Sequence, residues 1–295
     1  AEIALDRARQ LRQSYQCYLH GQDERHLRHL SLVRDLQHAA SNGEFSLRYQ
    51  PQVSALTGRA LGMEALLRWD HPRLGRIPPD EFIALAERSG LIHQLTQWVI
   101  DTGCQQLARW SEAGLNVRLG VNISAMDLQQ PGLIKRVERA LDRHGLRGEC
   151  LCIELTESAL MESPEMGARK LQSLRAMGVE LAIDDYGTGY SSLAQLKRMP
   201  VQELKIDKSF VMQLVKGSED DVIVSSTIEL ALHLGLSVVA EGVEDQTVAD
   251  HLAEQGCHML QGFLISRPMT AEAATEWLRS RVGDGIRDAA NEELR

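Results

Sequence analysis

The chain is expected to fold as an α/β protein, a TIM-type (β/α)8 barrel, and three features of its sequence predict this. From Phe45 onward, short apolar runs alternate with longer stretches whose apolar residues recur at helical spacing. About eight such runs fall within about 240 residues, as in a barrel where strands alternate with helices. Almost every run ends in an acid or an amide, and in a barrel the strand ends converge on one rim. An open, doubly wound sheet shares this rhythm and is the alternative.

The elements follow in order. In "DERHLRHLSLVRDLQHAASNG", Leu27, Leu30, Val33 or Leu36, and Ala40 lie near helical spacing with charges between them, and Gly43 provides a stop. Residues 21–43 therefore read as an amphipathic helix that leads into the domain. The strands are then "FSLRYQP", "ALGMEALLRW", "VRLGVNIS", "CLCIELTES", "VELAIDD", "ELKID", "SVVAEGVE" and "HMLQGFLIS". Helices are expected at 80–89, 91–110, 133–144, 164–177, 221–234 and 247–255. No low-complexity segment and no fixed-period repeat interrupts this pattern.

Composition narrows the function. The chain has 295 residues, 43% of them apolar, so it can bury a barrel-sized core. Its net charge of -9 argues against a basic face for polynucleotide, although metal ions would let such a chain hold a phosphate substrate. The cysteines Cys17, Cys104, Cys150, Cys152 and Cys257 are odd in number and lack C-x-x-C spacing, which favours reduced thiols and a cytoplasmic setting. No apolar run approaches the roughly 20 residues of a membrane span, and "AEIALDRARQ" has no signal-peptide core.

The polar residues in or after the strands are Glu64, Asn122, Glu154, Glu157, Asp184, Asp185, Lys205, Glu241, Glu244 and Gln261. Any one of them alone reads as a helix cap. Together, Glu64, Glu154, Asp184, Asp185 and Glu241 would crowd five negative charges into one cleft, which calls for cations. Oxygen ligands without His or Cys suit Mg²⁺ or Mn²⁺. The adjacent Asp184 and Asp185 suggest two ions, with Asp184 ending the strand and Asp185 in the loop, where Gly187 and Gly189 give backbone freedom. Two metals about 3.5 to 4 Å apart are an arrangement for phosphodiester hydrolysis.

"EALLRW", "VNIS", "ELTES", "DDYGTGYSSL", "LKIDKSFV", "VVAEGVE" and "QGFLISRP", in this order, resemble the EAL-domain family of bacterial cyclic di-GMP phosphodiesterases. The resemblance runs from about Phe45 to Leu278. It implies a barrel with an antiparallel first strand that cuts cyclic di-GMP to linear 5'-pGpG with Mg²⁺ or Mn²⁺ and is inhibited by Ca²⁺. A family member that only binds cyclic di-GMP is the alternative. The family pattern assigns Glu64, Asn122, Glu154 and Asp184 to one metal, and Asp184, Asp185 and Glu241 to the other. Glu64, Glu241 and Lys205 would be catalytic, Lys205 as general base or as fixed charge. Gln50, Arg68 and Gln261 would hold the substrate, and Glu157 and Glu244 would tether the loop after Asp185. Tyr186 stands where the family more often has Phe. The resemblance also implies a homodimer through the barrel helices. Residues 1–20 resemble the C-terminal end of a GGDEF domain, so upstream GGDEF and sensory domains are expected in a longer, membrane-anchored or cytoplasmic parent. The expected divisions are 1–20, the linker 21–43, the barrel 44–282 and a tail 283–295.

Overall fold

The strands are β1 (Phe45–Ser54), β2 (Ala60–His71), β3 (Gly75–Ile77), β4 (Arg118–Asn122), β5 (Leu151–Thr156), β6 (Glu180–Tyr186), β7 (Glu203–Ile206), β8 (Ser237–Ala240) and β9 (Met259–Leu260). They pair in the order β1-β9-β8-β7-β6-β5-β4-β2-β3, and a further pairing of β1 with β2 closes eight of them into a barrel. From β2 through β4 to β9 the ring is parallel, while β1 runs antiparallel to β9. The barrel with an antiparallel first strand is thus observed, and the open sheet is not. This computed structural model describes residues 22–161, 164–188 and 196–282. The expectations for residues 1–20 and 283–295, and those for Cys17 and Gly189, lie outside the described residues.

The chain divides into two compact units: residues 1–46 with 68–95, and residues 47–67 with 96–295. In the larger unit the helices turn apolar stripes toward the strands. Helix Leu133–His144 buries Leu133, Val137, Ala140 and Leu141, one face of a 3.6-residue repeat, and Gly145 ends it at a φ of 62°. Between their ends the parallel strands β5 and β6 are buried and apolar except at Glu154, Asp184 and Asp185, as expected of strands covered by helices.

In the smaller unit, Phe45, Trp69 and Phe82 have ring centroids 5.8 to 6.3 Å apart, and the Trp69 indole donates to Glu44 at 2.8 Å. Helix Gln22–Ala39 packs on helix Pro79–Ser89. Its buried side is Leu32, Leu36 and Ala39, while Leu27 and Leu30 are 64% and 55% exposed. Of the expected stripe of Leu27, Leu30, Val33 or Leu36, and Ala40, Leu36 is thus buried, whereas Leu27, Leu30 and Ala40 are exposed. Two sets of apolar residues share helical spacing here, and packing within the unit selects the second.

The short elements β3, Ala125–Gln129, Glu157–Met161 and Lys208–Val211 were not anticipated, because segments of three to five residues are too short to show a period. The run "HMLQGFLIS" forms a strand only at Met259–Leu260. Beyond it the chain turns onto the segment after β8, with Val243 N–H donating to the Gln261 carbonyl at 3.1 Å and Leu264 N–H to the Val243 carbonyl at 3.0 Å. No helix of the described residues is long and apolar enough to cross a membrane.

Candidate metal centre

All of the site described next lies in the larger unit. Parallel register sets Asn122 beside Glu154, Thr156 beside Asp184 and Glu64 beside Gly120. Alternation on each strand then points Glu64, Glu154, Asp184 and Lys205 to the barrel interior. The Lys205 ammonium, wholly buried, sits 2.6 Å from Glu154, 2.7 Å from Glu241, 3.2 Å from Asp184 and 3.8 Å from Glu64. Burial alone would lower its pKa, but Asp184, Glu154, Glu241 and Glu64 outweigh that and hold it well above its ordinary value. With no ion beside it, Lys205 is therefore held protonated by these carboxylates.

One ammonium does not balance the acids around it. Burial pushes the Glu154 carboxyl well above the usual range, with Glu64 and Asp184 adding to the shift against Lys205. Burial likewise drives Glu241 up to about 8. Five carboxylates against one lysine leave a formal charge of 1 − 5 = −4 when all are ionised, so without further cations the cluster retains protons near neutrality.

Adjacent aspartates on a regular strand face opposite ways, and here the strand is not regular. The β6–β7 register passes from Ile183↔Leu204 to Tyr186↔Ile206, one residue more on β6 than on β7. This bulge falls at Asp184 and Asp185 and breaks the alternation. Asp185 has φ 54°, the one positive φ among described non-glycine residues, a conformation that Asp tolerates better than most. The expectation of a strand ending at Asp184 is therefore corrected: the strand continues to Tyr186, and Asp185 takes an unusual turn besides the expected freedom at Gly187. Gly187 follows at φ 103°, and its N–H donates to Glu157 at 3.1 Å. Glu157, for which a tethering role was expected, thus hydrogen-bonds the residue two beyond Asp185. Glu244 is exposed and makes no hydrogen bond or ion pair to residues 185–188.

Asp207, at the end of "LKID", was missed. Its carboxylate shares a hydrogen bond with Asp185, which burial and the charges of Asp184 and Asp207 push up to about 6. It also accepts from the Ser209 amide at 3.0 Å. The signal was available, since Asp207 lies two residues beyond Lys205 at the same strand end.

Gln261 donates to Glu64 and, at 3.3 Å, to Gln50. Asn122 turns its Nδ2 to Glu64 at 2.7 Å, which leaves Oδ1 as the atom a cation would use. Arg68, four residues beyond Glu64 on β2, is half-buried and belongs to the smaller unit.

The residues fit the implied ions. Oxygens of Glu64, Glu154 and Asp184 lie within 4.8 Å of one another, as do those of Asp184, Asp185 and Glu241. Asp184 belongs to both groups. Glu154 Oε1 is buried without a hydrogen-bond partner among the described residues, a costly state for a carboxylate unless a cation takes that oxygen. Two divalent ions would also offset the formal charge of −4. Gly120 makes room for this carboxylate, because a Cβ there would sit 2.0 Å from Glu154 Oε1. Gly120→Ala is accordingly expected to cost about 1 to 3 kcal/mol through overpacking and to lose Mn²⁺ binding at the Glu64, Glu154 and Asp184 group. Thermal melting and Mn²⁺ titration check both effects.

Compared with known proteins, residues 33–268 match the EAL domain. The bifunctional diguanylate cyclase/cyclic di-GMP phosphodiesterase MucR of Pseudomonas aeruginosa is 46% identical over 244 residues, 82% of this chain and 36% of that protein. The oxygen sensor protein DosP of Escherichia coli is 40% identical over 252 residues, 85% of this chain and 32% of that protein. The chain spans about a third of the length of these curated relatives. Among solved structures, the PaMucR phosphodiesterase in complex with c-di-GMP matches with a TM-score of 0.79 at 45% identity, over 83% of this chain and 99% of that one. The FimX EAL domain of Pseudomonas aeruginosa bound to c-di-GMP matches with a TM-score of 0.74 at 28% identity, over 81% and 96% of the two chains.

Proposed function

The chain belongs to the EAL-domain family, and from that premise we propose that it is a metal-dependent phosphodiesterase that opens cyclic di-GMP to linear 5'-pGpG. The observation that carries this reading is the pair of carboxylate groups that share Asp184 on the rim of the barrel. Glu64, Asn122, Glu154 and Asp184 would hold one ion, and Asp184, Asp185 and Glu241 the other. Bound there, Mg²⁺ or Mn²⁺ would supply Lewis acidity and a water of lowered pKa.

The remaining work falls to the chain itself. Lys205 serves as a fixed charge, since carboxylates at 2.6 to 3.2 Å keep it protonated. It holds Glu154, Asp184 and Glu241 in one place and steadies the negative charge that develops on attack. Gln50 and Gln261 bind the nucleotide, and Arg68 takes a phosphate with its guanidinium fork.

Glu157 holds the Asp185 turn through Gly187. Glu157→Ala is expected to weaken Mn²⁺ binding at Asp185 about 10- to 100-fold, the usual effect of losing a support behind a ligand, and turnover should fall with it. Unchanged metal dependence would reduce Glu157 to a helix N-terminal acid. The exposed Met212, Val215, Val222 and Ile223, on and before helix Glu219–His233, suit a face where a second copy docks. Light scattering should then give twice the chain mass.

The deciding experiment incubates the purified chain with cyclic di-GMP and Mg²⁺ or Mn²⁺ and separates the products. Linear pGpG is expected, none in EDTA and little with Ca²⁺, whose longer bonds and looser geometry fit the attack poorly. Binding of cyclic di-GMP without cleavage in either active metal would replace this reading with that of a binding module.

A further inference from the structure

One layer below the carboxylates, the barrel interior carries a second polar group. Arg118 on β4, with its side chain 15% exposed, donates to Glu180 at 2.7 Å and to Glu203, and its NH2 group also reaches Gln52 Oε1 at 3.4 Å. Gln52 Nε2 donates to Gln261 Oε1 at 3.0 Å. Gln261 Nε2 in turn donates to Glu64 Oε2 and to Gln50 Oε1, and Gln50 Nε2 donates to the Ser266 carbonyl at 3.1 Å.

The direction of this chain is imposed from both ends. A guanidinium only donates, so Gln52 must offer it oxygen and turn its NH₂ toward Gln261. At the other end a carboxylate and a backbone carbonyl only accept. Gln261 can meet both demands in one orientation, oxygen toward Gln52 and NH₂ toward Glu64 and Gln50. The reversed amide would set its oxygen against the Glu64 carboxylate. Gln52 and Gln261 are 1% and 3% exposed, so water does not compensate for a wrong orientation. Space for the pair comes from Gly62, where a Cβ would lie 2.8 Å from Gln52 Oε1 and 3.0 Å from Arg118 Cγ.

We propose that Gln52, oriented by Arg118, is a positioning residue that fixes the Gln261 amide and through it the Glu64 carboxylate at the metal centre. This inference rests on the metal-centre reading above. Gln52 and Arg118 themselves lie outside every ligand and substrate-binding role assigned to that centre.

Calorimetric titration with Mn²⁺ tests it on wild type, Gln52→Met and Gln52→Glu, with melting in EDTA recorded for each. Methionine keeps the volume and removes both hydrogen bonds. Glutamate keeps the acceptor for Arg118 but has no N–H for Gln261, so it draws the Gln261 NH₂ away from Glu64. Both variants are expected to bind Mn²⁺ at least about tenfold more weakly, as residues behind a metal ligand do, with Gln52→Glu the weaker. If Gln52→Met does not fold, Gln52→Glu carries the comparison. Folded variants with wild-type Mn²⁺ affinity, even with lowered melting temperatures, overturn the positioning role and leave the metal centre standing. A wild-type chain that takes up no Mn²⁺ defeats the metal centre and this inference together.

Discussion

Asp184→Asn is expected to abolish cyclic di-GMP hydrolysis, with turnover falling by more than about 100-fold, beyond the 10- to 100-fold typical of residues that only support a metal ligand. The reason is its shared position. Asp184 is the one residue in both carboxylate groups, so its loss removes a ligand from each, whereas Glu64→Ala, also expected to inactivate, strips one. The change is isosteric and removes one of several mutually repelling acids, so the melting temperature in EDTA should stay close to wild type. Mn²⁺ calorimetry on the folded variant reads the loss directly. Turnover above about a tenth of wild type in both variants would defeat the two-ion assignment.

Lys205→Met is expected to destabilise the chain more than any other single change at the site. Removing one partner from a buried ion cluster typically costs about 3 to 5 kcal/mol, because Glu154, Asp184 and Glu241 lose the ammonium that now lies 2.6 to 3.2 Å away and must take up protons or stay charged without it. At about 2 to 4 °C per kcal/mol for a unit of this size, the melting temperature in EDTA should drop by roughly 6 to 20 °C. Saturating Mn²⁺ should narrow the gap, since a site without the repelling ammonium binds the ion more tightly and so gains more stability by mass action than wild type does. The pH dependence has a definite sign. Glu241 has a folded pKa raised from 4.5 to about 8, so the folded state holds the extra proton between those values. Wild-type stability in EDTA should therefore decline as pH rises through that window, and the Met variant should decline more steeply. Lys205→Arg separates the two chemical roles, because an arginine cannot act as a base. Near-normal turnover in that variant would leave Lys205 with the role of a fixed charge alone.

Much of this site was legible without coordinates. The βα rhythm pointed to a closed ring, with an open sheet as the alternative, and strand ends in such a ring meet on one rim, so Glu64, Glu154, Asp184, Asp185 and Glu241 were expected in one cleft. The antiparallel first strand and the substrate-side glutamines came from the resemblance of the motifs to a known family. Asp185 was read as a ligand for an incomplete reason. Alternation along a strand sends neighbouring side chains to opposite faces, and only the β6–β7 register reveals the bulge, and only the backbone angle of 54° the turn, that aim it.

Gln52 escaped notice because its partner Gln261 is 209 positions away in the chain, whereas Asp207 could have been found from its place at the strand end of Lys205. The buried face of helix Gln22–Ala39 was read correctly at Leu36 but not at Leu27 and Leu30, which lie at helical spacing yet are exposed where Leu32 is buried. By itself the sequence determined which residue types stand at the strand ends, since that depends on local period and connection length. The tertiary structure alone decided which way each side chain is turned and which amide or carboxylate faces it, because those choices follow from register and packing between segments distant in the chain.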